Sequence, residues 1–294
     1  KGGSIMKKLF FTIFTFVIAL TLVACGSGDS SNDAENTSES TESSQEATND
    51  DSEKLVVRVG TSPTYPPFES EENGELVGFD IDLIEKIAEV EDFEIEFATM
   101  QFDGLIPALK NGQVDILVGA ITITEERLNS VDFSNAYYLS GLSVLTMPDS
   151  GINGYEDLDG KLVGIQKGTS SYNYLIQNGF NESNIKQYAD ISTAYTALEN
   201  GGIDAILYDN PSNINYIQTQ DTDAVIVGEI LNGEYYGIAV NPDKPELLEK
   251  VNNGLKKLQE NGEYEALFDE HLNGEKNGLI EGVIPPEEAL VTNE

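Results

Sequence analysis

Apolar positions along the chain change period several times, and each change marks an expected element. Leu55 to Val59 in "KLVVRVGT" are β-rich and stop at Gly60, which predicts a strand running into a loop. "TSPTYPPFES" follows with paired prolines that block regular structure, so it reads as loop. In "VGFDIDLIEKIAEV", Ile81, Ile84, Ile87 and Ala88 fall at helical spacing, with Asp80 placed to cap. "FEIEFATM" alternates as a strand, "FDGLIPALKNGQ" reads as a short helix closed by Gly112, and "VDILVGA" reads as a buried strand. Strands alternating with helices predict a parallel α/β sheet.

The pattern also repeats. "ALKNGQVDILVGA", from Ala108, aligns without gaps on "ALENGGIDAILYD", from Ala197. Each stretch is a helix end, an Asn-Gly stop and a strand carrying an aspartate, which suggests two related α/β lobes. The alignment sets Gly119 opposite Tyr208 and Ala120 opposite Asp209. Ligands of open α/β sheets sit beyond the carboxyl ends of the strands. Two facing lobes would therefore share one crevice, entered by "GAITITEER", by "YDNPS" and by Gly168, Thr169 and Ser170 of "KLVGIQKGTSSYNYL".

The first 53 residues lack this alternation. Lys7 and Lys8 precede an apolar run, "LFFTIFTFVIALTLVA", that is short for a membrane span and reads as an export signal, with "KGGSI" upstream of Met6. Cys25 is the only cysteine and ends that run. The stretch from Gly26 to Glu53 has no aromatic and no branched aliphatic residue. It cannot bury enough apolar surface to offset chain entropy and is expected to be a disordered tether.

Charge narrows the function. With 16 basic and 52 acidic residues the formal net charge is -36, which argues against nucleic acid and against adsorption of the body to anionic lipid. Only two of the basic residues are arginines, Arg58 and Arg127. Arg58 sits in the first strand and is assigned no function. Arg127 follows "GAITIT" at a strand-to-helix junction, where its guanidinium could fork onto a carboxylate. Thr122 adds a hydroxyl, and helix N-termini at this junction and at Gly168–Ser170 favour an anion. Asp209, at the opposite strand end, could accept an ammonium. Together they would hold both charges of an α-amino acid. The plainer alternatives are a surface pair of Arg127 with Glu125 or Glu126 and a turn cap by Asp209 before Pro211. Tyr65 and Phe102 could stack on a ligand, or pack in the core.

These motifs, in this order, resemble the polar amino-acid class of bacterial extracellular solute-binding proteins that feed ABC importers. "GTSPTYPPFE", "GFDIDLIEKIA", the block from Phe102 to Tyr138, "DLDGKLVGIQKGTSS" and "IDAILYDNPS" carry the resemblance, which spans Lys54 to about Gly274. It implies a type II periplasmic-binding-protein fold: an α/β protein of two lobes, each a mostly parallel sheet flanked by helices, joined by two hinge strands. Lobe one is expected at 54–138 and 238–277, lobe two at 142–234, and a tail at 278–294. By the same resemblance Arg127, Thr122, Gly119 and Ala120 would hold the α-carboxylate, helped by Thr169 and Ser170. Asp209 would hold the ammonium with Gly119 and Thr122. Tyr65 and Phe102 would flank the side chain, and Ser62 and Gln166 would lie near its tip. "LVAC" resembles a lipobox, which makes Cys25 the site of a lipid anchor on the outer face of the cytoplasmic membrane and residues 1–25 its signal.

The expected ligand is a free polar L-amino acid, glutamine-like by Gln166 and Ser62, with a basic amino acid or cystine as alternatives and Glu69 as a substitute acid. Capture would proceed by hinge closure, with an ABC permease as partner, a monomeric state and no cofactor. Two rivals share the fold. A dehydratase would need a second carboxyl in the crevice, which the sequence does not fix; a sensing module for a separate receptor would use the same site. His271 is expected at a solvated helix end. "DLDG" lacks the rest of a calcium loop, so no metal is expected.

Overall fold

The computed structural model describes residues 54–290. The expected signal, Cys25 and the tether lie outside the described residues. No described helix is long and apolar enough to cross a membrane.

The first lobe is a five-stranded sheet in the order Phe93–Thr99, Leu55–Thr61, Ile116–Leu117, Ala239–Val240 and Asp132–Phe133. The first three strands are parallel and the last two pairings are antiparallel. Helices Phe79–Glu91, Phe102–Lys110, Pro245–Asn261 and Glu263–His271 flank it. The second lobe has the same plan: Ile185–Tyr188, Val163–Gln166, Ala205–Asp209, Tyr138–Thr146 and Val225–Tyr236. Its first three strands are parallel and its last two antiparallel.

Strands Tyr138–Thr146 and Val225–Tyr236 also carry the chain between lobes. They pair at Tyr138 with Tyr236, Leu139 with Tyr235 and Ser140 with Glu234, and lose register between Leu231 and Glu234. Beyond them the chain returns to insert Ala239–Val240 into the first sheet. Residues far apart in sequence thus meet beside the two crossing strands.

The internal repeat is present atom for atom in its turns. Helix Phe102–Lys110 ends with Gly112 N donating to Leu109 O and Gln113 N to Ala108 O, both at 3.0 Å. Helix Ile191–Glu199 ends with Gly201 N donating to Leu198 O at 3.0 Å and Gly202 N to Ala197 O at 2.8 Å. Gly112 (φ 66°) and Gly201 (φ 68°) take the left-handed conformation that closes such a helix. The aspartates of the repeat then do the same task. Asp115 exchanges bonds with Arg58, donating N–H to its carbonyl and accepting Arg58 N–H at 2.9 Å. Asp204 does so with Leu162, accepting its N–H at 2.7 Å. Arg58, assigned no role from sequence, adds Nε and Nη2 bonds to Asp115, and Lys244 Nζ joins at 2.8 Å.

Several expectations need correction. The loop "TSPTYPPFES" contains strands Thr64–Tyr65 and Glu69–Glu72, which form a small antiparallel sheet with Glu75–Val77. Within "VDILVGA", only Ile116–Leu117 is a strand. Asp80 does not cap its helix; Gly78 is the N-cap and the Asp80 carboxylate is fully buried elsewhere. His271 is half-buried, with Nε2 2.7 Å from Asp82 Oδ2, because the helix end packs on Phe79–Glu91. The tail is part of the first lobe: Ala136 N donates to Ile284 O and Leu139 N to Gly278 O, both at 2.9 Å, and Ile280 and Ala289 are buried.

The Asp115 staple yields a stability prediction. Burial alone would raise its carboxyl, but the bonds from Arg58 and Lys244 outweigh it and lower it to about 2. Asp115→Ala should cost about 2 kcal/mol of unfolding free energy near neutral pH. A depressed carboxyl contributes above its unfolded pKa of about 3.9 and loses that contribution as pH falls through the folded value. Urea titrations should therefore show the gap between the two proteins narrowing from about pH 4 toward 2.

Candidate ligand-binding site

Three segments from the first lobe and two from the second converge on one crevice. Every ligand residue expected from the sequence lines it, and Thr64, Glu69 and Tyr208 line it as well. Ser62 and Tyr65 follow the first strand, Phe102 opens its helix, and Gly119 to Arg127 follow strand Ile116–Leu117. Gln166, Thr169 and Ser170 join strand Val163–Gln166 to helix Ser170–Gln177, and Asp209 ends strand Ala205–Asp209.

Arg127 is half-buried and makes none of the ion pairs among the described residues, so the surface pair with Glu125 or Glu126 is not formed. Nη1 donates to Thr122 O at 2.7 Å and Nη2 to Gly168 O at 3.0 Å, and the guanidinium lies over the Phe102 ring at 5.6 Å. Desolvation lowers its pKa, against the pull of Glu234, Asp209 and Glu126. The helix it stands on, Glu125–Leu128, has only four residues and is capped by Thr124 Oγ1, which accepts Arg127 N–H. The expected anion-binding helix start at this junction is therefore absent, and the guanidinium alone carries the charge.

Asp209 is buried at the start of helix Asn210–Thr219 but makes no side-chain cap, so the turn-cap alternative fails. Instead Oδ2 accepts Tyr236 Oη at 2.6 Å and Tyr65 Oη at 3.3 Å, while Oδ1 is buried with no partner among the described residues. Burial raises its carboxyl to about 6, with the tyrosine hydrogen bonds and Arg127 opposing. Tyr65 thus does more than stack: its hydroxyl spans the lobes.

Asp80 explains the turn at Gly119–Ala120. Ala120 adopts φ 47°, the left-handed region that an L-residue visits at a cost of roughly 1–2 kcal/mol. Asp80 Oδ2 accepts Ala120 N–H at 2.6 Å and Tyr137 Oη at 2.7 Å, which holds the turn. Its Oδ1 has no partner among the described residues, and burial raises its carboxyl to about 7. The Ala120 N–H is consequently committed within the protein; of its main chain, the carbonyl remains for a ligand.

Glu69, named from the sequence as a substitute acid, lies in the site. It is fully buried, neither carboxylate oxygen has a partner among the described residues, and a Cβ on Gly119 would lie 3.0 Å from its Oε1. Burial, then the nearby Asp80 and Asp209, raise its carboxyl well above the usual range. The crevice therefore does hold carboxyl groups besides Asp209, contrary to expectation. On the second lobe, Gln166 Oε1 accepts Tyr208 Oη at 2.5 Å and Thr169 Oγ1 donates to Gln166 O at 2.7 Å, so both are tied locally.

The lobes touch across the mouth. Lys167 pairs with Asp103 at 2.7 Å, Asn173 Nδ2 donates to Glu126 Oε2 at 3.0 Å, and a Cβ on Gly168 would lie 3.1 Å from Asp103 Cα.

Comparison with known proteins meets this geometry at one point. The profile of bacterial extracellular solute-binding proteins, family 3, matches residues 57–274. The chain belongs to this family. A probable histidine-binding protein of Campylobacter jejuni is 32% identical over 265 residues, 90% of this chain and 98% of that protein. The ABC transporter glutamine-binding protein GlnH of Bacillus subtilis is 31% identical over 269 residues, 90% of this chain and 96% of its own. Among solved structures, an ancestral arginine-binding protein bound to arginine superposes with a TM-score of 0.69 and 40% identity, covering 74% of this chain and 98% of that one. The two-lobe fold of this family 3 protein is thus that of solute-binding proteins, and its relatives are amino-acid-binding proteins of ABC transporters.

Proposed function

We propose that this family 3 protein captures a free L-amino acid between its lobes by hinge closure and hands it to an ABC importer. One observation carries the reading: among the described residues, a guanidinium without an acid partner and a buried carboxylate oxygen without a donor face one crevice, Arg127 from the first lobe and Asp209 from the second. A zwitterion supplies both missing partners. Because it touches both lobes, it favours the closed arrangement by its differential contacts, which is how a ligand drives hinge closure.

Glu69 refines the side-chain preference. Two buried, unpartnered oxygens call for N–H donors, and a cationic group also relieves the crowding of Glu69, Asp80 and Asp209. The basic amino acid, an alternative to the glutamine-like ligand from the sequence, is therefore favoured, with arginine as its probe. Glu69 also supplies the carboxyl that the dehydratase rival requires. Recovery of a cyclic acid chemically altered after incubation would favour that rival; unaltered amino acid favours carriage.

Calorimetric titration with a panel of L-amino acids tests the core claim. Arg127→Ala should abolish binding while leaving the unfolding transition in place. Asp209→Asn should weaken amino acids by at least tenfold and des-amino analogues much less; equal losses would remove the ammonium role. Glu69→Gln should lower arginine affinity by roughly tenfold or more while moving glutamine by less, since a charged hydrogen bond is worth about 1.5–3 kcal/mol. An unchanged ratio of the two ligands would show that Glu69 does not read the side chain. Lipid anchoring at Cys25 completes the proposal: Cys25→Ala should shift the exported protein from the membrane to the soluble fraction.

A further inference from the structure

Glu234 was no part of the expected site, yet it holds two hydroxyls that the ligand needs. It lies in the second connecting strand and is buried. Ser170 Oγ donates to Glu234 Oε2 at 2.8 Å, and Thr122 Oγ1 donates to the same oxygen at 3.2 Å. Asn232 Nδ2 donates to Oε1 at 2.9 Å. A hydroxyl carries one proton. While both protons point at Glu234, neither Thr122 nor Ser170 can donate to a ligand carboxylate on the crevice side.

Turning the hydroxyls toward a ligand has a consequence for Glu234. Its Oε2 loses both donors in a buried position, beside a second negative charge. A proton taken from solvent resolves the conflict. The acid O–H then donates to a hydroxyl oxygen, and both hydroxyl protons become available to the ligand. Resting on the amino-acid reading above, we propose that Glu234 is a positioning residue that couples capture of the ligand's α-carboxylate to uptake of one proton.

The surroundings suit that role. Arg127 faces Glu234 from the Thr122–Leu128 segment and Asp209 from the second sheet; Glu125 and Glu126 line the same outer cavity as Glu234. Burial, then Asp209, push the Glu234 carboxyl up, and the bonds from Ser170, Asn232 and Thr122 oppose this, leaving it at about 7. Near neutral pH the proton is thus already shared between protein and solvent. A bound carboxylate raises the group further, so affinity is highest below about pH 7. It falls as pH rises from that value to the higher one in the complex, by up to tenfold per pH unit.

The test uses L-arginine and L-glutamine as probes, titrated calorimetrically between pH 6.5 and 8.5 in two buffers of different ionisation enthalpy, all roughly spanning the expected window. The unaltered protein should take up close to one proton near pH 8 and lose several-fold to about tenfold in affinity per pH unit above about 7. Glu234→Gln, whose amide donates where the acid would, should take up close to one proton fewer near pH 8 and lose less affinity per pH unit; Asp209, Asp80 and Glu69 titrate in both proteins and cancel in the difference. Titration of the ligand's own ammonium is common to both proteins and cancels in the comparison. Equal slopes and equal proton uptake in the two proteins would overturn the proposal. Should the variant not fold, absence of uptake by the unaltered protein overturns it alone. Binding without proton uptake refutes this proposal only; binding of no amino acid at any pH refutes the carrier reading and this proposal with it.

Discussion

Ionisable groups held out of water without partners of opposite sign are the constraint around which the crevice is organised. An isolated buried ion is costly, and the usual remedies are a partner of opposite sign or a shifted pKa. Asp209, Asp80, Glu69 and Glu234 use the second remedy, each raised mainly by burial. Arg127 leans on two carbonyls and an aromatic face rather than on a carboxylate. A protein selected only for stability would let Arg127 reach one of these acids. Here they are fixed on separate elements, and the tyrosines Tyr65, Tyr137 and Tyr236 donate to the acids without cancelling their charge.

The repeat explains how the fold keeps these groups apart. Each lobe closes a helix on Asn-Gly and staples the next strand through an aspartate, Asp115 in one and Asp204 in the other. The strand end that follows is thereby aimed at the crevice twice, once with the Gly119–Ala120 turn and once with Asp209. The two copies then diverged in chemistry. Where the first copy presents main chain in a left-handed turn, the second presents a carboxylate at the start of a helix.

Much of this was legible in sequence because it depends on local pattern. The helical spacing of Ile81, Ile84 and Ile87, the Asn-Gly stops and the rarity of arginine locate the main helices, the repeat and Arg127 directly. What was not legible depends on contacts across long separations. Asp80 looked like a helix cap because it opens a helix, but it bonds Ala120, 40 residues on. Glu69 sits in a proline-rich loop whose burial comes from packing against another segment. Glu234 lies in a strand whose register breaks, and a broken register conceals which side chains turn inward. The tail was set apart from the lobes, yet its main chain bonds the residues that lead into the first connecting strand.

That last contact bears on how the lobes move. Tyr138 and Leu139 begin the strand that leaves the first lobe, and the tail fastens to them through Gly278, where even a Cβ would collide with the Tyr138 ring at 2.2 Å. Tyr264 Oη accepts Ile280 N–H and donates to Tyr137 O at 2.5 Å, which ties the same point to helix Glu263–His271. The first-lobe end of the crossing strands is thus anchored on two sides. Strand pairing is irregular instead between Val227 and Glu234, on the stretch that carries Glu234 itself. If the lobes close as proposed, rotation would act at the residue that holds Thr122 of one lobe to Ser170 of the other, which would make closure, hydroxyl orientation and the protonation of one carboxyl parts of a single event.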